Sequence, residues 1–89
     1  MPQAIFDPQE ARQCAAQLDR LAEDTMQQAL HLFAQFSDLE SHWRDRKYAR
    51  FAKSLNEAMV AVRRYHDSVR QEADFLRRKA AAAQTYLDS

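Results

Sequence analysis

The chain contains no glycine, and its two prolines, Pro2 and Pro8, both lie at the N-terminus. That absence constrains the fold more than anything else in the sequence. Glycine supplies positive-φ turns and the close backbone approach of phosphate-binding loops. Proline and glycine are also the strongest local breakers of regular structure. A chain that has neither after Pro8 reads as helix nearly throughout.

The helical start is written at Asp7-Pro8-Gln9-Glu10. Asp7 suits the N-cap, Pro8 the first helical position, and Glu10 the third, as in a capping box. Residues 1–6 read as a loose leader. Apolar or small residues then recur at Ala11, Ala15, Leu18, Ala22, Thr25, Ala29, Leu32, Phe36 and Leu39, in helical steps of three and four. Ser and Asp weaken the signal after Phe36, and the chain restarts near Ser41 or Asp45. A second stripe runs Tyr48, Phe51, Leu55, Ala58, Val62, Tyr65, Val69, Ala73, Leu76, Ala80, Ala83 and Leu87. Both stripes approach the 3.5-residue repeat of a coiled coil.

The two stripes mirror each other. Folding the chain back at Trp43-Arg44 pairs positions whose numbers sum to 87: Leu39 with Tyr48, Phe36 with Phe51, Leu32 with Leu55, Leu18 with Val69. Only Ala15, opposite Glu72, breaks the pattern. Two antiparallel helices on a short link require such symmetry, whereas one continuous helix does not. The expectation is a single all-α domain over 1–89, with helix 1 over about 8–39, a turn over about 40–45 and helix 2 over about 46–87.

Further apolar residues flank the stripes: Cys14, Leu21, Met26, Leu30 and Phe33 on helix 1, and Met59, Ala61 and Phe75 on helix 2. They widen the apolar arc beyond the ~100° that one contact uses. Leu21, Met26, Leu30, Phe33, Met59 and Phe75 are therefore the expected interface, and pairing of two hairpins into a four-helix-bundle dimer is the expected way of covering it.

The same residue inventory offers little to chemistry. His31, His42 and His66 stand in no metal-ligand spacing, and no Glu-x-x-His occurs. They read as surface histidines, and Cys14 as a small buried apolar residue. No catalytic, cofactor-binding or metal-binding residue is expected, and neither is an enzyme. The lone cysteine excludes an internal disulfide framework. No apolar run is long enough to span a membrane, and the N-terminus lacks the pattern of a cleaved signal peptide. The expectation is synthesis in the cytosol, followed by retention there or export by a route that needs no cleaved signal.

Formal net charge is zero, but residues 1–44 carry three basic and seven acidic side chains, and residues 45–89 ten basic and six acidic. Opposite halves favour pairing within the hairpin, and the balance argues against nucleic acid as a partner. Arg44, Arg46, Lys47, Arg50 and Lys53 crowd the start of helix 2. Salt bridges to Asp38, Glu40 and Asp45 are their expected role, and docking of an acidic partner, nucleic acid included, is the alternative.

Trp43 is the only tryptophan and falls at the turn. It reads as a lid on the open end of the core and as an anchor for another protein. Two helices of this size with the run Trp43-Arg44-Asp45-Arg46-Lys47-Tyr48-Ala49-Arg50-Phe51 at the turn resemble the WXG family of small helical hairpins. A late aromatic-Leu pair, Phe75-Leu76 or Tyr86-Leu87, extends the likeness over nearly the whole chain. Asp45 stands where the family has glycine, and only three residues follow Tyr86, so the family's Tyr-x-x-x-Asp/Glu export pattern is not completed. The resemblance implies a dimeric interaction protein associated with type VII (ESX-type) secretion. The implied partner is a second copy, a related hairpin or a larger secreted effector, and Trp43, Asp45, Tyr48 and Phe51 form the turn motif. The alternative is a cytosolic coiled-coil adaptor or scaffold with no part in secretion.

Overall fold

The computed structural model describes residues 6–88. The leader expected over 1–6 lies outside the described residues, Phe6 excepted. Helix α1 spans Pro8–Glu40 and helix α2 spans Arg46–Asp88, and the two pack against each other as an antiparallel hairpin. No strand occurs among the described residues. The 43 residues of α2 account for about 64 Å at 1.5 Å each, close to the 66 Å long axis. The other two extents, 20 and 17 Å, are those of a single pair of helices.

Each helix opens on an aspartate. The Asp7 carboxylate accepts from the N–H groups of Gln9 (2.9 Å) and Glu10 (3.4 Å), with Pro8 following it. The Asp45 carboxylate accepts from the Tyr48 N–H at 2.9 Å. Both satisfy donors that the first helical turn leaves without partners. At the end of α1, the Ser41 hydroxyl donates to the Asp38 carbonyl at 2.7 Å and the His42 N–H to the Leu39 carbonyl at 3.0 Å. No described residue has a positive φ. A link of five residues between the helices thus turns the chain without the conformation that glycine serves.

The seam follows the sequence stripe on α1 from Ala11 to Ala29 and again at Phe36, and departs from it more widely on α2. Ala11, Ala15, Ala22 and Phe36 are buried on α1; Met59, Ala73 and Ala80 are buried on α2. The α2 seam runs Ala52, Leu55, Met59, Val62, His66, Val69, Ala73, Leu76, Ala80, Ala83, an unbroken heptad of threes and fours. Ala58 and Tyr65, expected inside, are exposed, and their neighbours Met59 and His66 take the inner places. Met59 fills the space that alanines leave on α1, while at Tyr65 and His66 the smaller ring goes inside and the larger one stays exposed. Ala73, which belongs to the expected stripe, is buried with Ala15, and Glu72 is exposed. Leu32 and Leu39, also expected inside, are exposed, while Phe33 and Glu40 turn partly inward.

Among the described residues, no helix is long and apolar enough to cross a membrane.

Candidate interaction surface

The turn is closed by aromatic rings. Phe36 lies 5.2 Å from Phe51 and stacks on Tyr48 at 5.9 Å between centroids. Trp43 packs over both, 5.7 Å from Phe51 and 5.9 Å edge-on to Tyr48. Phe33 meets Phe36 edge-on at 6.4 Å. Aromatic pairs at these spacings are worth ~0.5–1.5 kcal/mol each beyond their area. Trp43 is held half-buried by them. Burial, with the neighbouring Glu40 carboxylate, pushes the Tyr48 hydroxyl above the usual tyrosine range. Asp45 aims its carboxylate at the backbone of α2, so it serves the turn by capping.

The two flanks of the seam differ in chemistry. On one, the Asp19 carboxylate of α1 takes the Arg77 guanidinium of α2 and lies 4.0 Å from that of Arg70, while Arg77 also donates to Asp74 at 3.0 Å. The Asp19 hydrogen bond holds the Arg77 guanidinium above its ordinary pKa. Farther along this flank Leu30, Phe33, Met59 and Val60 line a shallow groove with Asn56 and Arg63. On the other flank, Leu32, Phe36, Leu39, Phe51 and Leu55 line a groove whose one polar side chain is Gln35. Leu32 and Leu39 keep 53% and 49% of their surface exposed, and Phe51, Tyr65 and Phe75 keep 44%, 44% and 47%.

The residues expected at an interface are divided by this arrangement. Leu21, Leu30 and Phe75 are exposed, Met26 and Phe33 half-buried, and Met59 is buried between the helices of its own chain. The exposed Leu32, Leu39, Phe51, Val60 and Tyr65 were placed in the seam or passed over in the sequence. For those on α2, the signal was the choice of adjacent position, where Met59 goes inside in place of Ala58. Cys14 is exposed rather than buried, because it lies one step round α1 from the Ala15 seam position. His66, expected at the surface, turns into the seam with its Nδ1 3.2 Å from the Asp67 carboxylate. Among the described residues, no ion pair joins Arg44, Arg46, Lys47, Arg50 or Lys53 to Asp38, Glu40 or Asp45. Asp45 is instead engaged with the Tyr48 N–H, and Glu40 lies beside the Tyr48 hydroxyl. The basic groups at the start of α2 remain exposed. Also among the described residues, no group of three His, Cys, Asp or Glu side chains is placed to hold a metal ion.

Comparisons of the chain with protein-family models, with curated proteins and with solved structures find no match.

Proposed function

We propose that this chain is a protein–protein interaction module, a WXG-like helical hairpin that works paired with a second copy or a related hairpin and is associated with type VII-like export. One observation carries the pairing. The fully buried residues Ala15, Ala22, Ala73 and Ala80 are alanines, while Leu32, Leu39, Phe51, Tyr65 and Phe75 stay exposed. Phe36 and Met59 apart, the large apolar side chains lie outside or half-buried and the small ones inside, the reverse of a self-sufficient domain. The accessible surface is 7322 Å², against about 5,400 Å² for a typical folded monomer of 10.4 kDa. The export association rests on the resemblance at the turn, where Trp43 sits over Tyr48 and Phe51.

Thermal unfolding at two concentrations tests the pairing. A dimer gains about 2.7 kcal/mol for a hundredfold rise in concentration, so Tm is expected to rise by several degrees. A Tm independent of concentration overturns self-pairing. Untagged protein in the culture supernatant of intact cells supports export; retention inside the cells supports the adaptor reading instead.

A further inference from the structure

Beside the α2 seam runs a second stripe, about 100° round the helix because each of its positions lies one residue from a seam position. It starts at Phe51 and recurs in alternating threes and fours to Ala82, and every residue on it is exposed. A helix in a four-helix bundle touches two neighbours and needs two such stripes. We infer that this stripe pairs antiparallel with the same stripe of a second copy, in the register where facing residue numbers sum to 133. This deepens the pairing proposed above by naming the face, the occupant and the register.

The register follows from self-complementarity. A two-fold interface brings residue i to j and j to i, so a stripe that pairs with itself must fit its own reverse. At a sum of 133, Phe51 faces Ala82, Phe75 faces Ala58, and Tyr65 faces Ser68. Glu72 then faces Ala61 and Lys79 faces Ser54. Every layer sets one large side chain against one small one, the alternation that lets facing layers interdigitate. Sliding by one heptad either way breaks it. A sum of 126 sets Phe51 against Phe75, and a sum of 140 sets Tyr65 against Phe75. The charges agree as well. Glu72 has the partner copy's Tyr65 hydroxyl about one turn away as a donor, and Lys79 has the partner copy's Glu57 at a similar distance, its stem lying over small residues. The opposite flank of α2 carries Val60 in the groove with Leu30 and Phe33, but continues as Arg63, Asp67, Arg70, Asp74 and Arg77, so its apolar part is short. The exposed Leu32 and Leu39 of α1 share a groove with Phe51, so the apolar surface continues beside the stripe.

Two conservative variants test the geometry, each made in a Cys14→Ala background of the full chain. In this register the two copies of residue 68 are offset by only about 4.5 Å along the axis, and those of residue 54 by about 37 Å. A short bismaleimide is expected to link Ser68→Cys to itself in high yield and to leave Ser54→Cys unlinked. If both link, the stripes run parallel; if neither links in a protein that is still dimeric, another face is used. Either result overturns the register and leaves the pairing function standing, whereas a stable helical monomer overturns both. A swap provides a further readout. Ala61→Glu sets two large carboxylates in one layer and is expected to weaken dimerisation at least tenfold. Adding Glu72→Ala restores one large and one small side chain and is expected to recover it. Failure of that rescue, with helicity intact, contradicts the layer assignment.

Discussion

Asp45 has a definite physical role at the start of α2. Its carboxylate accepts from the Tyr48 N–H at the start of α2. Replacing an N-cap aspartate by alanine costs about 1 kcal/mol, and by glycine only a few tenths. Urea denaturation is therefore expected to place Asp45→Gly close to the parent and Asp45→Ala clearly below it. Equal and larger losses for both would mean that the side chain does more than cap. The aromatic cluster gives a second ordering. Phe36 is 8% exposed and Phe51 44%. Phe36→Ala is expected to cost ~3–5 kcal/mol, as for a core phenylalanine, and Phe51→Ala about half as much in a hairpin kept monomeric by dilution. In the dimer the gap should narrow, since Phe51 lies on the proposed contact. A reversed order at low concentration would contradict the packing at the turn.

At the scale of the helices, much was legible in the sequence and some was not. Asp7 announced its helix through cap chemistry, and the mirror pattern brought Phe36 to Phe51, which meet at 5.2 Å. Periodicity also found the α1 seam from Ala11 to Ala29. It failed where two adjacent residues were both acceptable inside. Between Ala58 and Met59, or Tyr65 and His66, period alone cannot choose, and size does not choose alike: the larger Met59 goes inside in one pair and the smaller His66 in the other. The exposed flank inherited that error, so Tyr65 was hidden in the expected seam and Met59 was offered as surface. Ion pairs expected at the start of α2 are absent among the described residues, and Asp45 caps the helix instead. The C-terminal end of α2 supplies a test at this scale. It runs on to Asp88, while α1 begins only at Pro8. Removing residues 81–89 is expected to leave the circular dichroism per residue nearly unchanged while weakening self-association. Loss of soluble, helical protein on that truncation would show that the segment belongs to the hairpin itself.

The whole molecule is a thin rod, 66 Å long and little more than one pair of helices across. Such a shape gives each side chain one neighbouring helix and leaves the others to water. A domain of this size already buries only about 60% of its unfolded surface, and here no disulfide compensates, since Cys14 is free. A second hairpin offers what the single one lacks: a layer of side chains over Leu32, Leu39, Phe51, Tyr65 and Phe75. On this account the rod is half of a working unit, and its function is the contact that completes it. Static light scattering on the purified full chain at micromolar concentration tests this most directly. The expected result is a uniform species of twice the 10.4 kDa chain mass. A stable, fully helical species of the single chain mass would contradict it.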